Sequence, residues 1–316
     1  MPSTVPPPMT RGAALETKRF LIVTGKGGVG KTTVCAAEAL ALAAKGKRVL
    51  VCMCNAKERL SAMLGSELIG PEVKSVATNV WAVNMEPERA LAEYGMMALH
   101  SKTLFKLLFD NKYVRKFFRA VPGMQEWTLL GKAWWHTTEQ DETRPRWDVV
   151  ILDAPATGHG LDMLRVPRVL TEVAPPGLLR REAENALRLF QDPKRSGVVI
   201  VTLPEDMPTN ETIDLHAALI GELRLPVVRL VANGVFPPLF GAGERDTFES
   251  LAAALPSSSP LSSIAHAARA RALREGVQAV SLARLAKEIP VPRTELPYLF
   301  VAEFRRACVE ALAAAF

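Results

Sequence analysis

Residues 20–33 read Phe20-Leu21-Ile22-Val23-Thr24-Gly25-Lys26-Gly27-Gly28-Val29-Gly30-Lys31-Thr32-Thr33. The first five form an apolar, β-branched run that predicts a buried strand. From Gly25 the chain fits the pattern GxxxxGK[ST], and Thr32–Lys45 continues as a helix with Ala and Leu on its apolar stripe. Strand, glycine loop and helix in that order are the context in which this pattern cradles phosphate. The glycines let backbone N–H groups turn inward around phosphate oxygens, and the helix N-terminus adds its dipole. Gly27, Gly28, Val29, Gly30, Lys31, Thr32 and Thr33 are the expected contacts. Lys31 would bring a point charge to the terminal phosphates, and the Thr32 hydroxyl would ligate Mg²⁺. The loop therefore predicts a site for Mg–ATP or ADP.

Working outward, further apolar runs alternate with helical patterns. Arg48–Met53, a weaker Val80–Val83, Trp147–Leu152, Gly197–Leu203 and Val227–Ala232 all read as buried strands. Such alternation predicts an α/β fold with a doubly wound, mostly parallel sheet, in which ligands bind beyond the carboxyl ends of the strands. Asp153 directly follows the run Trp147–Leu152. A carboxylate there can hold a Mg²⁺-bound water, or it can simply cap the next helix. Residues 1–17, rich in Pro, Thr and Ala, read as a disordered lead-in rather than a signal peptide. Residues 18–316 read as one domain, with a helical subdomain built from about 86–138 and 160–195.

Composition narrows the class. The chain is 48% hydrophobic over 316 residues, enough for a large core. Its longest apolar candidate, Ala36–Cys54, is interrupted by Glu38, Lys45, Lys47 and Arg48, short of the roughly 18 residues a membrane helix needs. The four cysteines, Cys35, Cys52, Cys54 and Cys308, form no CxxC pair, so no zinc is expected and a reducing cytoplasm is the default. Cys52 and Cys54 lie on one strand face and read as core thiols in preference to a metal or redox pair. The net charge of +6 bears on non-specific association, and no specific nucleic-acid binding is expected. Ser101–Val121 sets Leu104, Leu107, Leu108, Val114, Phe117 and Phe118 beside Lys102, Lys106, Lys112, Lys116 and Arg119. That is either the packed face of a helical subdomain or a surface for a partner helix or an anionic membrane.

The full string Gly25–Thr33 resembles the two-lysine, deviant Walker A loop of the ParA/MinD, nitrogenase-iron-protein and ArsA/Get ATPases. By that resemblance Lys26, otherwise a solvated loop charge, reaches across a dimer interface to the partner's nucleotide. A homodimer, or a heterodimer with a paralogue, is implied. Asp153-Ala154-Pro155-Ala156-Thr157-Gly158-His159 is similar to the switch II of the ArsA/Get branch, with the central three residues in a different order. Thr202–Glu205 and Asn210–Thr212 look like that branch's Pro-Glu and Glu-Thr stretch. Asn233 falls where the family places an adenine-reading Asn, although Asn233-Gly234 also reads as a plain turn. Pro122-Gly123-Met124, Leu130-Gly131-Lys132 and Val291–Pro297 fit a bacterial Get-like, anion-transporting-ATPase-like branch.

The resemblance implies an ATPase whose nucleotide state gates a dimer for a protein or membrane client. One departure bears on turnover. Where the family has an Asp that orients the attacking water, this chain has Asn55, followed by Ala56-Lys57-Glu58, so slow hydrolysis is expected. Two other readings remain open: a nucleotide-binding scaffold paired with an active paralogue, and a ParA/MinD-like positioning ATPase.

Overall fold

A computed structural model describes residues 15–54, 57–91, 93, 123–156, 158–256 and 258–316. Leu15–Thr17 already form a short 3-10 turn with Leu15 buried, so order begins ahead of the expected boundary at residue 17. Asn55, Ala56, Thr157 and the amphipathic stretch Ser101–Val121 lie outside the described residues.

Among the described residues, eight strands form the main sheet: β1 Phe20–Thr24, β2 Val49–Cys54, β3 Lys74–Ala77, β4 Val80–Met85, β7 Val149–Asp153, β8 Ser196–Thr202, β9 Val227–Val235 and β10 Arg293–Pro297. Their order is β10-β9-β8-β1-β7-β2-β4-β3, and the pairs are parallel except β3 with β4. The two-residue strands β5 (Gln140–Asp141) and β6 (Arg144–Pro145) make a separate hairpin.

The central strands are apolar on both faces because both faces are covered. Alternation along each strand divides its side chains between two cores. Phe20 and Ile22 join one, with Leu50, Cys52, Val150, Leu152, Val198 and Ile200. Leu21 and Val23 join the other, with Val49, Val51, Met53, Ile151, Val199 and Val201. The first core is closed by α3 (Met124–His136), α4 (His159–Val173) and α5 (Leu178–Phe190), and Phe20 stacks on Phe190 at 5.2 Å. α4 and α5 occupy much of the expected stretch 160–195, whereas of 86–138 only 86–91, 93 and 123–138 are described, with α3 among them. The second core is closed by α1 (Lys31–Ala44), the short α2 (Leu60–Leu64) and the C-terminal α9 (Arg306–Ala313). Beyond β8 the chain adds α6 (Asp206–Ala217), α7 (Ala242–Ala254) and α8 (Ser262–Glu288).

Cys52 is fully buried and Cys54 partly so, both against the first core, as expected of packing thiols. Burial pushes both thiols up, away from the reactive thiolate. Among the described residues, no helix is long and apolar enough to cross a membrane.

Candidate nucleotide site

The fold sets the candidate residues side by side. β1 lies between β7 and β8, and β7 lies between β1 and β2, with Asp153 in register with both Val23 and Met53. The loop after β1 and the carboxylate ending β7 therefore emerge at the same edge of the sheet, its carboxyl end.

The loop turns into α1 at Gly30, whose φ of 92° is left-handed. A Cβ there would come 2.3 Å from Asn233 Nδ2, so both conformation and space require glycine. α1 begins at Lys31 with no side chain capping its first turn. Its opening N–H groups thus face the loop unclaimed by a cap, the arrangement that receives anions.

Lys31 folds back over the loop and donates to the carbonyls of Gly25 at 3.1 Å and Lys26 at 3.0 Å. Thr32 Oγ1 donates to Asp153 Oδ2 at 2.6 Å. Burial lowers the Lys31 ammonium from its usual range, with Asp153 acting against the shift. Burial raises Asp153, against Thr32, Lys31 and Cys35, which favour its charged form. Both groups thus give up more hydration than they regain from each other, so a dication and phosphate oxygens would supply the missing compensation. Hydroxyl and carboxylate oxygens also suit Mg²⁺, a hard cation that keeps waters and shares phosphate oxygens. Asp153 is engaged with Thr32, and α4 starts after Gly158 with no capping side chain among the described residues, so Asp153 does not cap that helix.

Three contacts brace the loop from the β8–β9 side. A Cβ on Gly25 would lie 2.1 Å from the Val201 carbonyl oxygen, so the loop leaves β1 pressed against β8. Lys26 Nζ pairs with Glu211 Oε1 of α6 at 2.6 Å. Asn233 Nδ2 donates to the Val29 carbonyl at 2.9 Å. Asn233 sits inside β9, so the plain Asn-Gly turn is not formed, although Gly234 has a φ of 69°.

Two expected residues behave differently from a simple phosphate ligand. Val29 is buried in the second core. Thr33 directs its hydroxyl to Met63 Sδ at 3.8 Å, which leaves its backbone N–H as the group available to a phosphate. Glu58, close to Asn55 in sequence, accepts from Ser61 N at 2.7 Å and from the Ser61 hydroxyl, so it secures the start of α2.

Comparison with known proteins adds the decisive observation. The family profile described as anion-transporting ATPase matches residues 18–175, the stretch that carries both the glycine loop and Asp153. The chain belongs to the anion-transporting ATPase family. Among relatives, the ATPase BagA of Mycobacterium tuberculosis is 27% identical over 225 residues, covering 69% of this chain and 66% of that protein. A putative arsenical pump-driving ATPase of Halobacterium salinarum is 28% identical over 245 residues, 72% of this chain but 37% of its own length. The ATPase GET3 of Kluyveromyces lactis is 29% identical over 182 residues, 55% of this chain and 52% of its own. The matches thus span less than two thirds of these relatives.

One buried carboxylate on α1 escaped the sequence reading as a member of the core. Glu38, one turn beyond Cys35 on α1, is fully buried, and neither carboxylate oxygen has a hydrogen-bond partner among the described residues. Burial raises its pKa to about 7, and the positive charge of Arg229 on β9 opposes the rise. Arg229 and Asn233 stand four residues apart, on one face of β9, so that face addresses both the body of α1 and the loop ahead of it.

Proposed function

We propose that this anion-transporting ATPase family member binds and slowly hydrolyses Mg–ATP, and that the bound nucleotide drives formation of a dimer acting on a protein or membrane partner. The observation that carries the reading is the Thr32–Asp153 contact at 2.6 Å, with Lys31 folded over the loop beside it. Lys31 would deliver its charge to the β- and γ-phosphates, while the N–H groups of Gly27–Thr33 surround their oxygens. Thr32 and Asp153 would hold Mg²⁺, which neutralises charge developing on the transferred phosphoryl group. Asn233, set against the loop backbone through the Val29 carbonyl, is the residue proposed to read the adenine.

Lys26 is the residue proposed to act on a partner's nucleotide. Asn55 is the residue proposed to orient the attacking water, and an amide there can orient a water but cannot take its proton. One further reading has an observation of its own. If Asn55 leaves turnover negligible, the chain is a nucleotide-binding scaffold completed by an active paralogue.

The test is calorimetry with Mg–ATP, together with turnover and molecular mass measured with ATP, with ADP and without nucleotide. Micromolar binding with ATP-dependent dimerisation and measurable phosphate release supports the full reading. Binding and dimerisation without turnover supports the scaffold. Absence of nucleotide binding by the folded chain overturns both.

A further inference from the structure

Lys26 is already engaged within a single chain. Its ammonium lies 2.6 Å from Glu211, with side-chain exposures of 31% and 40%. Glu211 stands on α6, which packs Thr209, Thr212 and Leu215 into the protein. The neighbouring Asn210 is held by Arg284 of α8. The carboxylate therefore sits on a fixed platform, whereas the lysine sits in a loop on a flexible four-carbon stem.

We infer that Glu211 is a positioning residue for Lys26: it holds the lysine in cis, and Lys26 reaches a partner's nucleotide only by giving up this carboxylate. The inference rests on the proposed role of Lys26 across a dimer. Its physical basis is a competition between two anions. With Nζ held 2.6 Å from Glu211 the ammonium stays on its own chain, whereas contact with phosphates in a second copy needs the side chain to extend away from that carboxylate. An exposed ion pair of this kind changes an equilibrium by a modest factor, about two- to fivefold, so a polyphosphate with several negative charges can displace it. Once the lysine leaves, Glu211 is unpaired near anionic phosphate, which adds to the cost of closing. Together these effects set the nucleotide concentration at which two copies associate, without preventing association.

The experiment uses the full chain and a non-hydrolysable ATP analogue with Mg²⁺, following mass by light scattering. Glu211→Gln keeps size and removes the charge. It should lower the analogue concentration for half-maximal association about two- to fivefold. Glu211→Asp should stay near the parent, and Glu211→Gln placed on Lys26→Ala should shift the threshold less than it does in the parent. An unchanged threshold in Glu211→Gln overturns the inference. So does an equal shift in the Lys26→Ala background, or weaker association than the parent. Calorimetry on the parent separates the two levels. If the analogue does not bind, the nucleotide reading falls; if it binds normally and Glu211→Gln is silent, only the role of Glu211 falls.

Discussion

The Asn233 amide donates to the Val29 carbonyl at 2.9 Å, linking β9 to a loop 204 residues earlier in the chain. The bond holds the peptide that leads into Gly30, whose left-handed φ starts α1.

Asn233→Ala should cost about 1 kcal/mol of stability, the usual net value of a hydrogen bond, and weaken Mg–ATP binding several-fold by loosening the loop. Asn233→Asp should cost more, since a carboxylate would face the Val29 carbonyl with no hydrogen to donate. Thermal melts and calorimetry on the two variants check the order. Equal effects of Ala and Asp would contradict the bond.

Lys31→Ala should weaken Mg–ATP binding by about 2–5 kcal/mol, the range for truncating one member of a buried charged contact. Asp153→Asn should instead remove the Mg²⁺ dependence of nucleotide affinity while leaving metal-free binding nearly intact. Titrations with and without EDTA distinguish the two substitutions.

Glu38 gives a pH prediction. Its folded pKa is raised to about 7 from an ordinary 4.5, so the folded chain holds a proton that the unfolded chain releases. Stability from this group is complete below about pH 4.5 and is lost as pH rises through 7, by up to about 3 kcal/mol. The melting temperature should fall between about pH 4.5 and 7 and level off above, and Glu38→Gln should flatten that slope. A slope unchanged in Glu38→Gln would assign it to other groups.

Asn55→Asp should raise turnover tenfold or more at unchanged ATP affinity, because it restores a group able to accept a proton from water. The parent is expected to be slower by roughly 10²–10⁴ than a relative with Asp there. Single-turnover phosphate release measures both. A parent that already hydrolyses as fast as such a relative would refute the assignment.

The main strands were legible because each is a continuous apolar run buried on both faces, as in Val149–Leu152. Strands β3 and β10 were not legible. Lys74-Ser75-Val76-Ala77 and Arg293-Thr294-Glu295-Leu296-Pro297 mix charge with apolar residues, as strands at the two ends of a sheet do. The nearness of the loop and Asp153 was legible because the expected phosphate and Mg²⁺ chemistry fixes both residue type and spacing, and the fold sets Thr32 Oγ1 2.6 Å from Asp153. The contact between Lys26 and Glu211 spans 185 residues and has no local signature. Glu38 was hidden for a different reason. A carboxylate on an otherwise alanine-rich helix reads as a solvent-facing residue, and only the three-dimensional burial of that helix face, with Arg229 of β9 near it, reveals that it is enclosed.

The three braces on the loop carry a consequence for how such a site can be inherited or transplanted. The groups proposed to touch phosphate and metal, Gly27–Thr33 and Asp153, all fall within residues 18–175, which the family profile matches. Val201, Glu211 and Asn233 all fall outside it. A fragment ending near residue 175 would keep every reactive group. It would lose the surface the loop leans on, and β1, deprived of β8, would become a raw edge with unpaired backbone. The proposed phosphate site is therefore not a portable module. It is a joint between two stretches of chain, one that carries the recognisable chemistry and one that gives that chemistry its shape.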